Sequence, residues 1–366
     1  RFVLGTLRLG IADSTIMDAL ALAFTSDKQN RKSLEGAYNV SSDLGRVSRI
    51  LATDGLEAVS EIKIELFIPI RPMLAERVQT NKEALDKVSG KGAVEFKLDG
   101  ERVQIHRKGR KVEIFSRSLE NITHYYPDVA EVSRTIKLTN FIIEAEVVAT
   151  DKYTEEFLPF QELMHRRRKY DIARNVENYP VSVNVFDILW ASGRDKTKLP
   201  YLKRRELLKD IITNLDGRKL TLIHQKIVTS VEELEKFMAK SIEFGCEGLV
   251  VKQTDSPYRA GARGFAWTKI KREYRSELVD SLDLVVVGGS HGRGRRVGKY
   301  GALLLAIFDK NENVFKSVCK VGSGFTDEVL EELFKELGKY KIPKKHTRVY
   351  SKLEMDTWFT PTIVIE

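Results

Sequence analysis

What most limits the folds open to this chain is a change of hydrophobic period near residue 92. Before it, apolar side chains recur at helical spacing; after it, they alternate. TIMDALALAF at 15–24 predicts a helix capped at Asp13/Ser14. SSDLGRVSRILATDG at 41–55 places Leu44, Val47, Ile50 and Leu51 on one stripe and predicts a second helix that stops at Gly55. FIPIRPML at 67–74 carries two prolines and reads as an extended connector.

Beyond residue 92, period-two runs predict strands at 93–98, 102–107, 111–116, 141–149, 181–188 and 247–252. Helical patterns interrupt them near 160–170, 201–213 and 231–244. Strands and helices mixed without regular alternation point to an α+β domain, not a doubly wound sheet. After about residue 276, LDLVVVGGS, YGALLLAIFD and VFKSVCKVG are three further strand-like runs, followed by a helix from Thr326. Short strands with glycine-rich turns suggest a small β-barrel of the OB type, and TPTIVIE ends the chain in mid-strand by its pattern. A length of 366 residues fits two or three domains. The chain begins at Arg1, not Met, so a fragment of something longer is expected.

Lys and Arg total 61 against 52 Asp and Glu, a net charge of +9 that suits a polyanionic partner without proving one. Cys246 and Cys319 are too few and too far apart for a zinc knuckle or a disulfide framework, which points to a reducing, intracellular compartment. No apolar run reaches the roughly 18 residues of a membrane span.

VEFKLDGERVQIH at 94–106 holds the chemistry. Val94, Phe96 and Leu98 alternate with Glu95, Lys97 and Asp99, the period of a half-buried strand, and Asp99-Gly100 is a hairpin signal before Val103 and Ile105. Lys97 is therefore either one charge on a solvated hairpin face or a nucleophile held on a rigid ribbon. To attack phosphorus it must lose a proton from a pKa ordinarily near 10.4, and Glu95 and Asp99 have the wrong sign to help. WTKIKREY, with Trp267, Lys269 and Lys271 on one face, supplies cations. FIIEAEVVA at 141–149 sets Glu144 and Glu146 among apolar neighbours, and EGLVVK at 247–252 joins Glu247 to Lys252. Such carboxylates are either paired core charges or ligands for a hard cation. Phe186 in NVFDILW is a core residue or a stacking surface, and Arg117 in FSRSLENIT lies in a polar loop.

Taken in order, KLDGER, SRSLENIT, FIIEAEVVA, VFDILW, EGLVVK and WTKIK resemble the motif series of the covalent nucleotidyltransferases. The closest likeness is to ATP-dependent DNA ligases of archaeal and eukaryotic replicative type, and LRLGIADSTIMDALALAF at 7–24 is similar to the end of their helical DNA-binding domain. The resemblance implies a multi-domain α+β fold. Residues 1–65 would be the C-terminal part of an all-helical DNA-binding domain, 66–276 an adenylation (nucleotidyltransferase) domain of antiparallel sheets with helices, and 277–366 an incomplete OB-fold domain.

It also implies roles. Lys97 would attack the α-phosphate of ATP and carry AMP, which passes to the 5′-phosphate of a nick before the 3′-hydroxyl displaces it. Arg102 and Arg117 match positions that hold the nucleotide's sugar and phosphate or the 5′-phosphate. Glu146 matches the ribose- or metal-associated acid and Glu247 the acid of the catalytic metal, Mg2+ or Mn2+. Phe186 matches the aromatic stacked on adenine, and Glu95 lies where the base edge is recognised. Lys252, Lys269 and Lys271 match phosphate-contacting lysines, the last two also depressing the Lys97 pKa. The implied partners are nicked duplex DNA and a sliding clamp. A monomer is expected, cytoplasmic in an archaeal cell or nuclear in a eukaryotic one.

Glu144 stands where the family commonly has aspartate, a change expected to be tolerated. The late basic motif of the OB domain and the start of the DNA-binding domain fall outside the chain, so weak self-adenylation is expected. GGSHGRGRRVGKYG at 288–301 fits neither GxGxxG nor the P-loop and reads as a basic loop touching DNA phosphates; HRRRKYD at 165–171 reads as a solvated helix face. An RNA ligase, a capping enzyme or a non-catalytic DNA-binding scaffold are the rival readings. An NAD-dependent ligase is disfavoured because two cysteines cannot build its zinc site.

Overall fold

The computed structural model describes residues 12–154, 156–167, 171–212, 219–271, 282–292, 298–322 and 327–365. The chain divides into two compact units, 1–275 and 276–366. In the first, helices α1 (Asp13–Thr25), α2 (Arg31–Ser41) and α3 (Leu44–Ser60) close over Met17, Ala21, Leu34, Val47, Leu51 and Val59. Asp43 caps α3 by accepting from Arg46 N at 2.8 Å. Two local expectations fail. Ala12, not Asp13 or Ser14, occupies the capping position of α1, and the Asp13 carboxylate accepts from the Tyr38 hydroxyl instead. Gly55 adopts φ +83 but only kinks α3, because Leu56 and Val59 beyond it still pack on the same core.

The rest of this unit runs β1 (Leu74–Arg77), α4 (Asn81–Lys87), β2 (Gly92–Lys97), β3 (Glu101–Lys108), β4 (Lys111–Ser116), α5 (Pro127–Ser133), β5 (Asn140–Ala149), α6 (Phe160–Met164) and α7 (Ile172–Asn178). It continues with β6 (Val181–Ala191), β7 (Arg194–Asp195), α8 (Tyr201–Ile212), β8 (Leu220–Leu222), β9 (Gln225–Val228), α9 (Val231–Glu243), β10 (Gly248–Gln253) and β11 (Arg263–Lys271). The strands form two sheets, β1-β11-β10-β2-β9 and β4-β3-β5-β6-β7, with β8 beside β6. Pairing is antiparallel except for β1 with β11 and β6 with β8. This is the mixed α+β architecture expected. β1 is an addition to it, a short parallel strand inside the stretch bordering the proline-rich connector.

Asp99-Gly100 is not a hairpin turn. β2 pairs with β10 and β9, whereas β3 pairs with β4 and β5, so these two residues carry the chain from one sheet into the other. The alternation in VEFKLDGERVQIH correctly marks two strands, but both are sandwiched, and Glu95 is 2% exposed where a hairpin face would be wet. Glycine is required at the crossing: a Cβ on Gly100 would run into the Val147 carbonyl oxygen and stand 2.9 Å from Val148 Cγ2. Asp99 Oδ2 fixes the other half of the turn by accepting from Phe160 N at 3.0 Å.

The connector is bolted to β3 by three side chains on one face of that strand. Arg102 Nη1 donates to Met73 O at 2.8 Å. Gln104 accepts from Ile70 N at 2.8 Å and donates to Ile70 O at 2.9 Å. His106 Nδ1 accepts from Phe67 N at 3.0 Å. Steps of two along the strand thus meet steps of three along the connector. Burial pushes the His106 imidazole down to about 3, so it stays neutral and Nδ1 keeps its lone pair for Phe67.

The second unit contains β12 (Leu284–His291), β13 (Tyr300–Asp309), β14 (Val314–Val321), α10 (Asp327–Gly338), β15 (Lys341–Ile342), β16 (Val349–Tyr350), β17 (Thr357–Phe359) and β18 (Val364–Ile365). Its strands make one sheet in the order β15-β17-β12-β13-β14-β16, with β18 on β12, over a core that includes Val286, Leu303, Leu305 and Phe359. A strand follows the glycine-rich segment, as its lack of helical pattern implied; residues 293–297 of that segment lie outside the described residues. No described helix is long and apolar enough to cross a membrane.

Gly248 is the second position where a side chain cannot fit. At φ +152, its Cβ would run into the Ile270 carbonyl oxygen and stand 2.9 Å from Lys271 Cα, whereas nothing lies within 4 Å of a Cβ on Gly264 in the neighbouring strand. Gly248→Ala is expected to cost about 3–5 kcal/mol in chemical denaturation and Gly264→Ala no more than about 0.5 kcal/mol. Equal midpoints for the two variants would contradict this packing.

Candidate active site

A cavity of about 390 Å³ opens in the first unit, lined by residues of both sheets and of the loop after β4. Glu95, Lys97, Arg102, Arg117, Glu146, Phe186, Glu247, Lys252, Lys269 and Lys271 all line it. Residues drawn from six separate motifs therefore meet around one space.

Strand register sets their order. Across β2, β10 and β11, Lys97 lies opposite Gly248 and Gly248 opposite Lys271; the next row is Glu95, Val250 and Lys269, and the next Ala93, Lys252 and Trp267. Rows two residues apart are roughly 6.6 Å from one another. The missing side chain at Gly248 leaves room between Lys97 and Lys271, and Glu247 fills it from the side. One oxygen of Glu247 accepts from Lys97 Nζ and the other from Lys271 Nζ, the latter at 2.7 Å. Partial burial pushes this carboxyl up, but the hydrogen bonds from Lys271 and Lys97 outweigh it and hold the group below its usual value. Lys269 has no ion-pair partner among the described residues. Burial, together with the charges of Lys97, Arg117, Arg263 and Lys271, pushes its ammonium down. This end of the cavity holds more cations than carboxylates, as a binding place for anions does.

The far end has a different character. Lys252, 1% exposed, sits with Nζ 4.2 Å from the Trp267 ring centre and 4.7 Å from those of Phe186 and Tyr201. Its ammonium forms a buried ion pair with Glu95 Oε2 at 2.6 Å. Of the three lysines matched to phosphates, only Lys269 and Lys271 thus lie near Lys97; Lys252 belongs with Glu95 and the aromatic wall.

Arg102 spans the connector and the cavity. Beyond Met73 O, its Nη2 donates to both oxygens of Glu144, at 2.9 and 2.8 Å, so the glutamate in the place of the usual aspartate forms a buried ion pair. Glu146, two residues on, faces the cavity without a side-chain hydrogen bond among the described residues. Burial and the Glu247 and Glu101 charges raise its carboxyl, Lys97 and Arg102 oppose them, and the outcome is about 7. Arg102 Nε and Trp267 Nε1 are buried nitrogens without a hydrogen-bond partner among the described residues, both on cavity-lining residues. Buried donors are rarely left so, and here they fit acceptors brought by a ligand.

Glu146 and Glu247 line the same space, and no group of three or more His, Cys, Asp or Glu able to hold a metal occurs among the described residues. That donor set suits a hard cation that takes its remaining oxygens from phosphates and water, as Mg2+ does.

The sequence reading missed Arg263, which lines the cavity, and Tyr201 and Gln225, which stand behind Glu95. Their lone residue types carried no motif signal. HRRRKYD is corrected in part. Arg166 is fully buried on Asp128 and the Tyr179 carbonyl, and Arg167 binds Glu101, so neither is a solvated charge. Residues 168–170 lie outside the described residues.

Comparison with known proteins places this geometry. The chain is 54% identical to a protein named DNA ligase from Nitrosopumilus maritimus and 49% identical to one of the same name from Sulfolobus acidocaldarius. Each alignment covers all of this chain but only 62% and 61% of the relative. The chain thus spans about three fifths of the length of these curated relatives. A solved structure titled "Pmar-Lig_PreS3" shares the fold at 18% identity, with a TM-score of 0.56 over 92% of this chain and 91% of that one. The ATP dependent DNA ligase C terminal region matches residues 296–366. The ATP dependent DNA ligase domain matches residues 72–271, more than half of the chain and every wall of the cavity. On that match the chain belongs to the ATP-dependent DNA ligase family.

Proposed function

We propose that this chain is the part of an ATP-dependent DNA ligase that takes AMP from ATP onto Lys97 and delivers it to the 5′-phosphate of a nick in duplex DNA. The observation that carries the reading is the polarity of one cavity. Lys97 stands among Lys269, Lys271, Arg117 and Arg263 at one end, and Glu95, Lys252 and Phe186 form an aromatic and polar end one to two strand rows away. A nucleotide with its phosphates among the cations and its base against Phe186 fits that order.

In the first step the neutral Lys97 Nζ attacks the α-phosphorus. An N–P bond forms, the bond to the β-phosphate oxygen breaks, and pyrophosphate leaves. Lys269 and Lys271 stabilise charge that builds up on the phosphates, and the Glu247 carboxylate in contact with Lys97 takes the amine's proton and passes it to water. The 5′-phosphate oxygen of the nick then displaces Lys97 from the adenylate phosphorus. The 3′-hydroxyl finally displaces AMP, leaving a phosphodiester. Arg117 and Arg102 orient these phosphates and the sugar. Mg2+ held by Glu146 and Glu247 would supply charge neutralisation at the phosphates when bound. The three-part division at about residues 65 and 276 belongs to the same reading, with nicked duplex DNA as the substrate and a sliding clamp as a further partner.

Two outcomes are expected. Incubation with ATP and a divalent cation should add AMP to a minor fraction of the intact protein by mass spectrometry, mapped to Lys97, and Lys97→Ala should abolish it; an adduct that survives the substitution contradicts the assignment. Glu146 gives a stability test. Burial raises its folded carboxyl to about 7, against about 4.5 for an exposed glutamate, so the folded state binds more protons between those values, and stability is lost as pH rises through that window. Glu146→Gln lacks this loss. It should be more stable than the parent by about 1–2 kcal/mol at pH 8, the gain shrinking to nothing near pH 4.5. A pH-independent difference would count against a raised Glu146.

A further inference from the structure

We infer that Tyr201 and Gln225, neither of which lines the cavity, are positioning residues that make it select a 6-aminopurine nucleotide over a 6-oxopurine one by locking the Glu95 carboxylate. This deepens the nucleotide-transfer reading above and rests on it.

The two oxygens of Glu95 are treated differently. Oε1 accepts from the Tyr201 hydroxyl and from Gln225 Nε2 at 3.3 Å, while Gln225 Nε2 is also 2.5 Å from the Tyr201 oxygen. Arg205 Nη1 lies 3.8 Å from the same oxygen and is itself held by the Val185 and Ile223 carbonyls. Oε1 is therefore saturated from behind the cavity wall. Oε2 is in an ion pair with Lys252 Nζ at 2.6 Å. Beyond that contact the oxygen keeps a second lone pair and the ammonium keeps further protons, so the cavity is offered an acceptor beside a donor, both buried.

An acceptor next to a donor can read two kinds of purine edge. A 6-aminopurine presents a donor at position 6 and an acceptor at N1; a 6-oxopurine presents the same pair in reverse order. A carboxylate free to rotate, or to pass its charge to the other oxygen, could serve either. One tied at Oε1 by two donors on the first turn of α8 and on β9 serves one order only. Burial and the Glu95 charge both push the Tyr201 phenol up, so it remains a donor. Gln225 lies directly across the β2–β9 pair from Glu95, so the register of the sheet maintains the lock.

The test is equilibrium binding of ATP and of ITP, which differ only at this edge, to the full chain and to Tyr201→Phe and Gln225→Met. The ATP-to-ITP affinity ratio is expected to fall about tenfold in Tyr201→Phe and about threefold in Gln225→Met, with thermal melting confirming that each variant is folded. Equal weakening of both nucleotides, leaving the ratio within about twofold of the parent, is what a merely structural role produces, and it overturns the inference. If Tyr201→Phe does not fold, the Gln225→Met ratio decides alone. A parent that binds neither nucleotide refutes the nucleotide reading itself, and this inference with it; a parent that prefers ATP alongside variants with an unchanged ratio refutes only the lock.

Discussion

Two residues, Asp99 and Gly100, carry the backbone from one sheet to the other, and the cavity depends on that crossing. Because a hydrogen stands where any other residue has Cβ, Gly100 can lie against the Val147 carbonyl, which brings the end of β2 to the strand bearing Glu146. Asp99 holds the turn through Phe160 N, and Arg102, two residues past the glycine, reaches back to the connector at Met73 O and across to Glu144. The Lys97 amine, the acid on the opposite sheet and the connector from the helices are thus fixed within six residues of one another in sequence or directly against them in space.

Charge is sorted on that frame. Burying an ion pair is costly unless the geometry is good, and the pairs here are fully engaged: Glu144 with Arg102, Glu95 with Lys252, Glu247 with both Lys97 and Lys271. Lys269 is the lysine without such a partner among the described residues, and its depressed ammonium records the surrounding positive charge. Glu146 records the opposite, a buried carboxyl with no donor of its own. Both are unfavourable in the free protein, and a phosphate with its cation would relieve both, which is how a binding site differs from a core.

Much of this was legible in the sequence because period two identifies strands and because motif order identifies what those strands carry. All ten residues assigned to the site line one cavity. What alternation could not give was the partner of each strand. It says which side chains share a face, so Asp99-Gly100 was read as joining neighbours when it joins two sheets, and Glu95 was read as half-exposed when the second sheet and α8 cover it. The same gap hid Arg166, whose charge is satisfied by Asp128 and two carbonyls far away in sequence. The resemblance groups Lys252 with the phosphate-contacting lysines; strand register, which no local pattern encodes, places it two rows from Lys97. Tyr201 and Gln225 had no local signal, since each acts only through Glu95.

A crystal of the chain grown with AMP measures the direction in which a nucleotide lies in this cavity. The adenine is expected against Phe186 with its 6-amino group at Glu95, and the phosphate between Lys97, Lys269 and Lys271. An adenine at the Lys97 end, or AMP bound away from this cavity, would contradict this orientation.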